Sequence, residues 1–225
     1  MWSAGPAARR QPGGAPAGLR LGLCLSRGMR VGLFGGSFNP AHEGHAHVAE
    51  TARRRLGLDR VIWLVSPQNP LKASDETAAL AARLASARRY ARGPGMVVSD
   101  AETRLGSQYT IDIVRTLKAR FPGVHFVWIM GADSLASFHR WRGWTQIMRE
   151  APVAVIARPL AGLKSRFAPA ANRFAHARLP ASSAPRLACR PPPAWVYLTA
   201  PLNFTSSTAL RRAAPSREAA LQIPS

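Results

Sequence analysis

Cysteine is nearly absent: Cys24 and Cys189 are the only two in 225 residues. So wide a separation supports neither a disulfide framework nor a cysteine-based metal site, and a reducing cytoplasm is the expected compartment. Acidic residues are scarce as well, 11 against 31 lysines and arginines, for a formal net charge of +20. No apolar run approaches the roughly 18 residues that a spanning helix needs, so no membrane partner is expected. The stretch from Leu19 to Leu25 is too short and interrupted for the apolar region of a signal peptide. Neither a G-x-G-x-x-G fingerprint nor a G-K-[ST] phosphate loop occurs, which removes two common modes of nucleotide binding.

The positive charge is concentrated. Residues 1–30 hold five arginines and no acid, and residues 158–193 hold seven basic residues and no acid, whereas residues 31–157 carry sixteen basic and ten acidic groups. The flanks could touch nucleic acid or anionic lipid. They lack interleaved aromatics and any helix-turn-helix or zinc-finger pattern, so no specific nucleic-acid partner is expected. The length suits one α/β domain with tails. The expected division is a basic, Gly/Pro/Ala-rich, disordered extension over 1–28, a domain over 29–213 and a tail over 214–225. Met29, directly before the first core strand, is an alternative start, and residues 160–193 read as an irregular basic insert.

What the chain does contain is concentrated in Gly35-Gly36-Ser37-Phe38-Asn39-Pro40-Ala41-His42-Glu43-Gly44-His45. The run Arg30 to Phe34 before it is short and apolar, and His45 to Leu56 has helical composition, giving strand, turn and helix. Two glycines would let the backbone turn sharply with bare N–H groups, and a helix start carries partial positive charge, so a phosphate is the expected guest. His42 and His45, three apart, would share one side of the first helical turn. There an imidazolium could offset phosphate charge and a neutral imidazole could donate one hydrogen bond. A third ligand at metal spacing is missing, so no metal-ligand role is expected for them.

Further along, Arg60 to Val65 is a second buried strand, which completes a right-handed βαβ unit and a parallel sheet. Ligands of such sheets gather beyond the carboxyl ends of the strands, where Asn69 and Lys72 follow the second one. Thr77 to Tyr90 reads as an alanine-rich helix with its arginines toward solvent, and Met96 to Ser99 as a short strand. Tyr109 and Thr110 open a helix to about Arg120, suited either to a ring and an anion or to plain capping. Val124 to Met130 is the strongest buried strand, and Gly131 and Asp133 follow it, the carboxylate placed for ribose hydroxyls, a magnesium ion or a helix cap. Trp141 lies among arginines. Pro152 to Ala157 and Trp195 to Leu198 are further strands. Ser206, Ser207 and Thr208 precede a short helix with Arg211 one turn inside, a second candidate anion site.

The run G-S-F-N-P-A-H-E-G-H resembles the G-x-F-x-P-x-H-x-G-H motif of the nucleotidylyltransferase superfamily. With S-P-Q-N-P-L-K, S-Q-Y-T-I-D, M-G-A-D-S-L-A-S-F-H-R-W and T-S-S-T-A-L-R in this order, residues 30–213 look like a bacterial nicotinate-nucleotide adenylyltransferase. That resemblance implies an α/β, Rossmann-like fold with a central parallel sheet flanked by helices, and transfer of AMP from ATP to nicotinate mononucleotide in NAD biosynthesis. It implies catalytic roles for His42, His45 and Arg211. Gly35, Gly36, Ser37, Phe38, Gly131, Asp133, Ser206, Ser207 and Thr208 would face ATP, which carries Mg2+. Asn69, Lys72, Tyr109, Thr110 and Trp141 would face the mononucleotide. Three departures bear on ring recognition: Ile113 stands where many relatives have Thr, Arg142 stands where some have an aromatic residue, and Phe204 precedes the T-S-S-T run where close relatives often have a polar residue. Competing readings are a superfamily member with a nicotinamide mononucleotide or phosphopantetheine acceptor, and a basic nucleic-acid-binding protein. Oligomeric state stays open.

Overall fold

The computed structural model describes residues 24–67, 77–157 and 165–199. Seven strands form one sheet: β1 Arg30–Gly36, β2 Arg60–Val65, β3 Met96–Ser99, β4 His125–Gly131, β5 Val153–Ala157, β6 Arg178–Leu179 and β7 Trp195–Thr199. Their spatial order is β3-β2-β1-β4-β5-β7-β6, and every neighbouring pair is parallel. A parallel sheet covered on both faces needs apolar side chains pointing both ways, which is why its strands read as continuous hydrophobic runs.

Alternation along each strand divides the core in two. Val31, Leu33, Phe126, Trp128 and Met130 face one layer, which includes Ile113, Val114 and Leu117 of α4 (Thr110–Arg120). Phe34, Trp63, Val127 and Ile129 face the other, with Val48, Ala49, Ala52 and Leu56 of α1 (Glu43–Leu56). The remaining helices are α2 Leu80–Tyr90, α3 Ala101–Arg104, α5 Ala132–Ser137, α6 Trp144–Glu150 and α7 Pro169–Arg173. The Rossmann-like parallel architecture expected from the sequence is the one found.

Three expectations change. First, α1 begins at Glu43 and α2 at Leu80, each shifted from the pattern-based start. Second, not all α2 arginines face water: Arg88 and Arg89 do, but Arg83 is 2 % exposed. It shares the inward face with Ala87, one turn on. Third, the described part of the basic insert is packed. Turns of 3-10 helix at Ala175–Ala177 and Ala181–Cys189 join α7 and β6, burying Phe174, Ala184 and Leu187. The Trp195 indole N–H also donates to the Phe174 carbonyl at 2.7 Å. Proline stops long helices there without preventing short turns.

Gly35 and Gly36 do not make the turn. Both lie in β1, paired in register with Leu64 and Val65. Their value is the missing side chain: a Cβ on Gly35 would strike the Trp128 indole, itself 1 % exposed and unable to withdraw. Gly35→Ala is therefore expected to destabilise the fold by about 1–3 kcal/mol through overpacking, read as a lowered midpoint in thermal or urea unfolding.

Candidate functional site

Strand order reverses between β1 and β4: the chain builds outward through β2 and β3, then returns to lay β4 on the other side of β1. The loops leaving the carboxyl ends of β1 and β4 part there, opening the crevice in which doubly wound sheets bind ligands.

After Gly36 the backbone turns at Phe38, whose φ of +44° is unusual for a bulky residue. Packing holds it there. The ring stacks on Trp63 at 5.1 Å between centroids and meets Phe34 and His45 edge-on. A Cβ at Gly36 would lie 3.1 Å from that ring, so the second glycine provides the space into which Phe38 folds back. Strain of this kind persists where the surroundings over-determine it, commonly at binding loops.

His42 is the N-cap of α1 and 2 % exposed. Its Nδ1 accepts from the Gly44 N–H at 3.0 Å, while the His45 Nδ1 accepts from the His42 N–H at 3.3 Å. This reciprocal cap, built from two imidazoles, brings their centroids to 3.9 Å. An accepting Nδ1 carries no proton, so each neutral ring holds its hydrogen on Nε2. Protonating Nδ1 of either ring would break that ring's cap bond. The helix start thus combines backbone N–H groups, the positive end of the dipole and two Nε2–H donors, an arrangement suited to a phosphate.

At the end of β4, Asp133 lies in the first turn of α5, its Oδ1 2.5 Å from where a Gly131 Cβ would stand. Trp141 is half-buried, edge-on to Trp128 and Phe138. Tyr109 is the N-cap of α4 and Thr110 its first residue, but neither side chain makes the cap. Instead the Tyr109 N–H donates to Ser107 Oγ at 3.2 Å, and Ser107 donates to Asp112 at 2.8 Å. The Arg142 guanidinium lies 4.4 Å above the Tyr109 ring.

A cavity of about 490 Å³ opens beside this pair, lined by Pro67, Glu102, residues 106–109 and Arg142 among others. It takes in Tyr109, whereas the two histidines, Asp133, Thr110 and Trp141 lie outside its lining. Asn69, Lys72, Ser206, Ser207, Thr208 and Arg211 fall outside the described residues. The sequence reading missed Glu102, Ser107 and Arg83. The carboxyl end of β3, which places Glu102 beside the other loops, was the available signal for the first.

A doubly wound parallel sheet with an imidazole-capped helix start at its reversal point is the architecture of a nucleotide-binding transferase. Residues 33–213 match the family model described as cytidylyltransferase-like. A protein of Caulobacter sp. (strain K31) named "Probable nicotinate-nucleotide adenylyltransferase" is 78 % identical over 183 residues, covering 81 % of this chain and 97 % of that protein. One of the same name from Methylorubrum extorquens is 56 % identical over 183 residues, covering 81 % of this chain and 99 % of the relative. Among solved structures, the nicotinic acid mononucleotide adenylyltransferase of Plasmodium falciparum complexed with APC superposes with a TM-score of 0.61 at 15 % identity, covering 82 % of this chain and 83 % of that one. That likeness speaks to fold alone. The chain belongs to the family of nicotinate-nucleotide adenylyltransferases.

Glu102, 4 % exposed, has its carboxyl pushed up to about 8 by burial, from an ordinary value of 4.5. The native state therefore keeps a proton that the unfolded chain has lost, and stability falls as pH rises from about 4.5 to 8. Glu102→Gln removes that titration. Its melting temperature should exceed that of the unsubstituted protein at pH 8.5, with the gap closing toward pH 4.5, as followed by scanning calorimetry.

Proposed function

We propose that this chain transfers the adenylyl group of ATP to the phosphate of nicotinate mononucleotide, forming deamido-NAD for NAD biosynthesis and releasing pyrophosphate. Family membership carries the reading, and the paired imidazoles at the start of α1 give it a chemical basis. An acceptor phosphate oxygen attacks the α-phosphorus of ATP in line. The P–O bond to the β-phosphate breaks, and its electron pair leaves on pyrophosphate. Because the nucleophile is already an anion, the reaction needs neither a general base nor a covalent enzyme intermediate.

The work of the protein is to align two anions and to stabilise the charge that builds on the α-phosphate. His42 and His45 donate from Nε2, with the N–H groups of α1 behind them. Gly35, Gly36, Ser37, Phe38, Gly131 and Asp133 border the ATP side, joined in this reading by Ser206, Ser207, Thr208 and Arg211. Tyr109, Thr110 and Trp141, with Asn69 and Lys72, take the mononucleotide, its flat ring against an aromatic face. ATP enters as its magnesium complex. Among the described residues no cluster of three His, Cys, Asp or Glu could hold a metal ion. In this reading the triphosphate carries the magnesium, with Asp133 on the same side of the site. No helix among the described residues is long and apolar enough to cross a membrane. The reaction proposed, a step of NAD biosynthesis, takes the cytoplasm as its site.

Incubation with ATP and each of nicotinate mononucleotide, nicotinamide mononucleotide and phosphopantetheine, followed by pyrophosphate detection, tests the assignment. Turnover is expected to be fastest with the nicotinate compound; a faster rate with another acceptor, or no pyrophosphate at all, overturns it. His45→Ala should lower kcat by about a hundredfold, the scale of one lost transition-state donor. Loss of the cap costs the same variant about 1 kcal/mol, so the rate is to be measured well below its melting temperature.

A further inference from the structure

Arg83 lies on α2, outside the lining of the cavity, yet it bonds to the loop that leads into the histidines and to the loop that borders the cavity. Its guanidinium makes four hydrogen bonds, all to backbone carbonyls. Nε donates to Ala78 at 2.8 Å, Nη1 to Ser37 at 2.9 Å and Ser66 at 2.6 Å, and Nη2 to Pro67 at 2.6 Å. Ser37 belongs to the turn after β1, and Ser66 and Pro67 to the loop after β2. One turn along the same helix, Ser86 Oγ accepts from the Ala41 N–H at 3.1 Å, so α2 grips the first loop at both ends. Burial lowers the guanidinium pKa, the mark of a cation held where water would serve it better.

A planar fork can hold several carbonyls at once in fixed directions, which a lysine ammonium cannot. Because the peptide unit is planar and trans, drawing the Ser37 carbonyl toward Arg83 turns the Phe38 N–H the opposite way. Among the described residues no acceptor takes that N–H. The carbonyls of Ser66 and Pro67 are held by the same group, so the two loop ends keep a fixed separation.

We propose that Arg83 is a positioning residue for adenylyl transfer. It orients the Phe38 N–H as a donor to the nucleotide phosphates and sets the spacing between the ATP loop and the acceptor loop. The proposal rests on the adenylyl-transfer reading. Activity of the unsubstituted protein tests that reading, and the ratio of variant to unsubstituted protein tests Arg83. In Arg83→Lys and Arg83→Met, assayed 20 °C below each variant's own melting temperature, kcat should fall by about a hundredfold, the scale of a misplacement of about 1 Å. KM should rise for both ATP and the mononucleotide, and millimolar guanidinium should restore part of the rate to Arg83→Ala. Folded variants with kcat and both KM values within about twofold of the unsubstituted protein overturn the proposal. Nuclear magnetic resonance of the unsubstituted protein needs no variant to fold: the Arg83 Nε–H signal should shift on addition of ATP and, separately, of nicotinate mononucleotide. A signal unmoved by either also overturns it.

Discussion

The structure depends on the reversal of strand order beside β1. Right-handed crossovers carry β1 through α1 to β2 and onward to β3, and the chain then returns so that β4 lies on the opposite side of β1. In consequence α1 and α4 pack on opposite faces of the sheet. The carboxyl ends of β1 and β4 become neighbours whose loops diverge, and both layers of the core exist to keep that pair of strands in register. The site is the opening such a topology leaves.

Within that opening, small size matters more than backbone freedom. Gly35 gives room to Trp128 and Gly36 to Phe38, while the actual bend falls on Phe38, held in the left-handed region by its aromatic neighbours. That bend delivers His42 to the N-cap of α1. The rings of His42 and His45 satisfy each other's part of the helix start, and the same bonds set the tautomer of both. Local capping and phosphate chemistry therefore depend on one set of hydrogen bonds.

Two buried ionisable groups stand by the loops on this side of the sheet, where a core built only for stability would place carbon. Arg83 ties two loops through their carbonyls, and Glu102 holds a proton beside the cavity because burial disfavours its charge. Each is costly to bury, and each borders a loop on the carboxyl side of the sheet, where such groups concentrate in enzymes.

The strands and main helices were legible in the sequence because a parallel sheet covered on both faces leaves uninterrupted apolar runs, and because strand, turn and helix alternate with few long gaps. The residues 35–45 were equally legible, since glycines, a proline and two histidines between a strand and a helix leave few alternatives, and four further loop motifs narrowed the family. The roles inside that stretch were not. Composition assigned the turn to the glycines, whereas packing against Trp128 and Phe38 assigned it to Phe38. Helical periodicity put Arg83 on the same face as Ala87, but a charged side chain among alanines reads as solvated until two loops 29 residues apart in sequence are seen to bring their carbonyls to it. The sequence by itself determined which segments become strands and helices, because periodicity and capping act over a few residues. Only the tertiary structure decided which side chains those segments bring within bonding distance, because that depends on strand order, and strand order is settled by contacts far apart in the chain.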